Sequence, residues 1–217
     1  YAKTTKQAAL KAVILSGVPE ASINKRSLNL PLIEEIKAKL TPSQKYIRGL
    51  FCGGTICDEV AHLIKEEYDN VYTNISKDPK YMLADINVSC EHTLIDFGDD
   101  AFTQGKPHPM IDPSLRNERF LKEAADPEAV VLVIDVVLGY GSHPDPVGVT
   151  LPVIKKAKAL AASQGRHLEI LAFVLGTERD PQEFADQVAR LSAEGVTISS
   201  SCENTGLLSR GFVKKEA

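Results

Sequence analysis

The most informative stretch of the chain is apolar on both of its alternations. Val130 to Leu138 reads VVLVIDVVL, interrupted only by Asp135. A strand of that composition is buried on both faces, which marks the middle of a parallel sheet. Four shorter apolar runs accompany it. They are Ile47 to Cys52, closed by Gly53-Gly54, then His92 to Phe97, His167 to Leu175 and Val196 to Ser200. Segments with helical spacing lie between them. One runs from about Thr55 to Glu67 and buries Ile56, Val60, Leu63 and Ile64. A second follows the long loop after Phe97, with Asp112 as its N-cap and Pro113 at the first helical position. A third spans about Val149 to Ser163. A fourth opens on Asp180-Pro181-Gln182-Glu183, buries Phe184, Val188 and Leu191, and stops at Gly195. Beyond Ser200 a short tail is expected.

Residues 1–46 carry no strand pattern. Ala8, Ala9, Ala12 and Val13 form one apolar helical face ending at Gly17. Leu32, Ile33, Ile36 and Leu40 form another, between Pro31 and Thr41-Pro42. This part reads as a helical arm, a linker or the remnant of a preceding domain, and 47–217 as the main domain. Five strands alternating with four helices require right-handed crossovers and a sheet covered on both sides. The expected fold is α/β and flavodoxin-like, a doubly wound five-stranded parallel sheet of order 2-1-3-4-5 with Val130 to Leu138 central. A Rossmann arrangement with another strand order is the alternative.

Composition narrows the function classes. The 217 residues are 43% hydrophobic and 25% charged, with a net charge of -4. That supports a sizeable core and offers no cationic excess for nucleic acid. The clustered Lys155, Lys156 and Lys158 read as a solvated helix face. No apolar stretch is long enough for a membrane helix, and no signal-peptide pattern is present. Cys52, Cys57, Cys90 and Cys202 lack zinc spacing, so no metal is expected. A chain of this size has no need of disulfides, which favours a reduced, cytoplasmic protein. Because it begins at Tyr1 rather than Met, the chain is expected to belong to something longer.

In open parallel sheets, ligands bind beyond the carboxyl ends of the strands, where turns lead into helix N-termini. Three glycine-bearing turns fall there: Gly53-Gly54-Thr55, the turn around Gly98 in Asp96-Phe97-Gly98-Asp99-Asp100, and Gly139-Tyr140-Gly141. Together they suggest a cleft for an anion or phosphate. The third glycine of a dinucleotide fingerprint is replaced by Pro144, and no P-loop is present. Prolines 107, 109 and 113 stiffen the loop that presents His108, a candidate nucleophile or general acid/base. Lys106 and Arg116 could hold an anion beside it. His62, His92, His143 and His167 read as structural. Asp135, deep in its strand, is expected to bond to backbone rather than to catalyse.

Four segments carry a family resemblance: Gly49-Leu-Phe-Cys-Gly-Gly-Thr55, Asp96-Phe-Gly-Asp-Asp100, His108-Pro-Met-Ile-Asp-Pro-Ser-Leu-Arg-Asn117 and Asp135-Val-Val-Leu-Gly-Tyr-Gly141. Over roughly residues 46 to 212 the chain resembles the FdrA family, which is acyl-CoA synthetase-like and related to the succinyl-CoA synthetase subunits. The resemblance implies a cytoplasmic CoA-ligase domain, normally preceded by a CoA-binding domain that is absent here. It implies CoA and ATP as cofactors, with sites largely outside this chain, and other subunits or a second copy as partners. It also adds Asn117 to the ligand-binding candidates. In synthetase α subunits a histidine after the second strand is phosphorylated within Gly-His-Ala-Gly-Ala. Here Pro109-Met110 follows His108, and Phe51 stands where those subunits carry an acid. His108 is therefore expected to bind ligand or move a proton ahead of carrying a phosphoryl group. Family members are also linked to oxamate carbamoyl transfer, so a carbamoyltransferase subunit using carbamoyl phosphate is the second expectation. A non-catalytic assembly domain is the third, suggested by the uncharged last strand and the apolar N-terminal helices.

Overall fold

The computed structural model describes residues 1–23 and 28–214. Its sheet is parallel throughout and has six strands in the order β2-β3-β1-β4-β5-β6. These are β1 (Tyr46–Phe51), β2 (Val71–Thr73), β3 (His92–Asp96), β4 (Ala129–Val137), β5 (Glu169–Leu175) and β6 (Thr197–Ile198). The five expected strands are present, in the expected order relative to one another, with Val130 to Leu138 interior. The expected count of five is corrected to six by β2, a three-residue strand outside β3.

Strand alternation divides the core into two layers. On one face Leu50, Ile95, Leu132, Ile134, Ile170 and Ala172 meet Phe120 of α5 (Ser114–Ala124), Ile154 and Ala157 of α6 (Pro146–Ser163), and Leu191 of α7 (Phe184–Ala193). On the other, Ile47, Phe51, Leu94, Val131, Val133 and Leu171 meet Ile56, Val60 and Ile64 of α3 (Gly54–Lys65). The same layer holds Leu208 and Phe212 of α8 (Cys202–Phe212), and Ile33 and Ile36 of α2 (Leu30–Lys39), while the short α4 (Asp100–Thr103) follows β3.

Three expectations need correction. The residues after Ser200 are not a tail but the core helix α8, capped by Ser201, whose hydroxyl accepts from the Asn204 amide at 3.0 Å. Gly206 lets α8 approach α3 closely, since a Cβ there would lie 2.7 Å from Leu63 Cδ1. The helix expected to open on Asp180 begins only at Phe184. Asp180 instead accepts from the Thr177 amide at 2.6 Å, and Glu183 takes a left-handed φ of 59°. The Ala8, Ala9, Ala12 and Val13 face of α1 (Thr5–Leu15) is exposed, and α1 buries none of its residues. What anchors that end is polar. Thr4 donates to Glu203 Oε1 at 2.9 Å, and the Thr5 amide to Glu59 Oε2 at 3.0 Å. A smaller shift concerns Asp112, which bonds to the Ser114 amide at 3.0 Å although α5 begins at Ser114 rather than Pro113. Among the described residues no helix is long and apolar enough to cross a membrane.

Candidate functional site

The carboxyl ends of β1, β3 and β4 meet at the turn into α3, and two buried acids face that turn from neighbouring strands. Asp135 of β4 is fully buried and accepts from the amides of Cys52 (2.7 Å) and Gly53 (2.9 Å). Arg116 of α5, itself 3% exposed, pairs with it at 3.4 Å and donates to its carbonyl at 2.7 Å. Burial pushes the Asp135 carboxyl up, against the pull of Arg116 and the two amides. Asp135 therefore bonds to backbone, as its place in the strand suggested. Arg116 is turned inward to serve it and is not brought to His108.

Asp96, the last residue of β3, is the second acid. Its backbone is clamped by Asn74, whose side chain accepts from the Asp96 amide at 2.9 Å and donates to its carbonyl at 3.0 Å. Carboxylate Oδ1 accepts from the Gly98 amide at 2.8 Å. Oδ2 points to the start of α3, where it would lie 2.7 Å from a Cβ on Gly54. Burial raises its pKa above the ordinary carboxylate value. The Gly98 amide and His108 oppose that rise, while the charges of Asp135 and Asp99 add to it. α3 opens on Gly53 with no capping side chain, so the first-turn amides, including those of Gly54 and Thr55, keep their partial positive charge.

His108 closes the other side. Its Nδ1 accepts from the Met110 amide at 3.3 Å, which places the proton of a neutral ring on Nε2. Nε2 lies over Gly98, where a Cβ would come within 2.6 Å of it and 2.7 Å of the Cys52 carbonyl. Only glycine fits between the β3 end and that ring. The Met110 carbonyl accepts from the His143 amide at 2.7 Å, drawing the Gly139-Tyr140-Gly141 loop against the His108 loop. The three glycine turns and His108 are thus assembled at one sheet edge.

The other candidates make contacts of their own. Lys106 is exposed and lines an adjoining cleft of about 240 Å³ floored by Phe97 and Phe102. Asn117 donates to the Val149 carbonyl at 3.3 Å and so ties α5 to α6. Tyr140 is 93% exposed, and Gly139, at φ +123°, exchanges hydrogen bonds with Gln182. The helix start beyond that loop is already filled by Asp145. It accepts from the Gly148 amide at 2.9 Å and pairs with Arg190 at 2.8 Å, which holds its carboxyl down at about 2.

The buried thiols offer no nucleophile. Burial pushes Cys52 and Cys57 well up and Cys202 up to about 12. His92 lies at the opposite edge, packed against Tyr68 with ring centroids 4.6 Å apart and the planes tilted by 46°, and its Nδ1 accepts from the Ile47 amide at 3.1 Å. Burial and then the Arg48 charge lower its pKa to about 4. Sequence reasoning missed Asp96 and Asp145 as groups that shape the site. The available signal was an acid at a strand end or just ahead of a helix.

Residues 50–210 match the family model described as CoA-ligase. A curated Escherichia coli (strain K12) protein, "Uncharacterized protein YahF", is 55% identical over 215 residues, covering 99% of this chain and 42% of that one. The crystal structure of PH0766 from Pyrococcus horikoshii OT3 superposes with a TM-score of 0.48 at 12% identity, covering 97% of this chain and 44% of that one. The chain thus spans less than half the length of both. Its matched segment takes in the α3 turn, both acids and the His108 loop, and the chain belongs to the CoA-ligase family.

Proposed function

We propose that this chain is the C-terminal ligase-type domain of a longer, FdrA-like acyl-CoA synthetase, and that it holds a phosphate or acyl phosphate between His108 and the first turn of α3. The observation that carries this reading is the pairing of an uncapped helix start with an imidazole over Gly98. A first turn supplies amides and partial positive charge to an anion, and a histidine supplies a further donor or a proton. Five of the six strands follow the flavodoxin-like order, with β2 added at one edge. A cytoplasmic location and partnership with other subunits or a second copy belong to the same reading. CoA and ATP belong to this reading as cofactors held largely outside this chain. The start of α6 holds the Asp145 carboxylate, and that of α5 is faced by Asp112. Those two helix starts are therefore already engaged by carboxylates of this chain.

Thermal unfolding with inorganic phosphate, acetyl phosphate and carbamoyl phosphate tests the site. A ligand at a hundred times its dissociation constant stabilises by about 2.7 kcal/mol. Stabilisation of the wild type that is lost in His108→Asn is expected. A response to carbamoyl phosphate alone would favour carbamoyl transfer. No response to any of the three, or one unaltered in His108→Asn, would overturn the site.

A further inference from the structure

The start of α3 is faced by two acids whose surroundings differ. Asp135 is compensated by Arg116 and by two backbone amides. Asp96 is 7% exposed, and its one hydrogen bond to the carboxylate, from Gly98, falls on Oδ1. Among the described residues Oδ2 accepts none, and it is aimed at the Gly54 end of α3 where an anion would sit. A dianion entering there meets a buried negative charge with little to offset it. The conflict disappears if Asp96 is neutral, because a carboxylic acid offers its own O–H to an anion oxygen.

We propose that anion binding at this site takes up one proton onto Asp96, which makes Asp96 the residue that sets the affinity for phosphate. The proposal rests on the site reading given above and adds a group to it. In the liganded state the proton stays on Oδ2, directed at the anion, on the side of the site away from the His108 ring. The groups facing Asp96 are Asp135 from β4, Asp99 from the following loop, His108, the Cys52 and Cys57 thiols from the turn and α3, and Arg116 behind Asp135. The anionic members outweigh the compensated cation, and burial already biases Asp96 towards its neutral form. Affinity should therefore rise as pH falls towards the range in which Asp96 titrates, and level off below that range, where the free protein already carries the proton.

Sulfate is the cleaner probe, because it stays a dianion throughout and leaves the protein as the source of any proton effect. Calorimetric titration in two buffers of different ionisation heat measures the protons taken up by the wild type without any variant. The expected result is net uptake that disappears in Asp96→Asn, with the variant binding sulfate about tenfold more tightly at pH 7.5, because the wild type must first neutralise the carboxylate and the amide need not. Binding without proton uptake, or affinities within about twofold of each other, would overturn the proposal while leaving the site intact. Uptake that persists in Asp96→Asn would place the proton on another group and overturn the proposal equally. If neither protein binds sulfate or phosphate at any pH, the site reading fails and this inference with it.

Discussion

Arg116 was a candidate anion ligand by sequence, and its position makes it a support for Asp135. Replacement by Met keeps the aliphatic stem and removes the charge, leaving a fully buried carboxylate with two amides and no counter-ion. Breaking a buried pair from one side costs about 3–5 kcal/mol, a large share of the 5–15 kcal/mol typical of a domain. Urea slopes for small domains are about 1–3 kcal/mol/M. With a slope at the upper end, the midpoint should fall by about 1–2 M. The loss should shrink as pH drops, because Asp135 sits above its ordinary value and is neutralised more readily once Arg116 is gone. Adding Asp135→Asn to Arg116→Met should restore a substantial part of the stability. Urea unfolding followed by circular dichroism at pH 7.5 and 5.5 supplies each number. A loss under about 1 kcal/mol, or no recovery in the double variant, would refute the assignment of Arg116 to Asp135.

Three further outcomes are expected. His92 is held neutral with a pKa of about 4 against an ordinary 6.5, so the unfolded chain binds more protons between those values. Stability should fall by about 3 kcal/mol as pH drops from 6.5 to 4, and His92→Gln should flatten that part of the urea midpoint profile. Gly98→Ala should cost about 1–3 kcal/mol through overpacking against the Cys52 carbonyl. It should also displace the His108 ring, seen as altered imidazole NMR shifts and a weaker response to phosphate. Phe212→Ala should lower stability by about 3–5 kcal/mol in the same urea assay, because Phe212 is fully buried in the layer shared by α2, α3 and α8.

What was legible in the sequence followed from burial. VVLVIDVVL announces an interior strand because both of its faces must be covered, and the other runs fall into place around it. β2 escaped because Val71-Tyr72-Thr73 is too short to show a period. α8 escaped because Gly206 and Gly211 weaken its helical signal. The same glycines serve tertiary contact, Gly206 against Leu63 and Gly211 against Ile33, which local propensity cannot express. The start of α7 was misplaced because Asp180-Pro181 spells a cap whose carboxylate bonds backward to Thr177. At the site, the glycine turns and His108 were readable from strand ends and prolines. The directions of Arg116 and Asp96 were not, since each depends on tertiary packing around the β1 turn, where Arg116 meets a carboxylate from β4 and Asp96 faces the start of α3.

The two outer strands have a consequence for assembly. β2 offers three residues and β6 two, so each flank of the sheet presents only a few backbone groups to a newcomer. Long exposed flanks recruit foreign strands and seed aggregation, and very short ones deny them a template. Whatever joins this domain, whether the remainder of a longer chain or a second copy, gains little by extending the sheet. Recognition then falls to side chains on the helices and loops, where charge and shape discriminate between partners and generic backbone pairing does not.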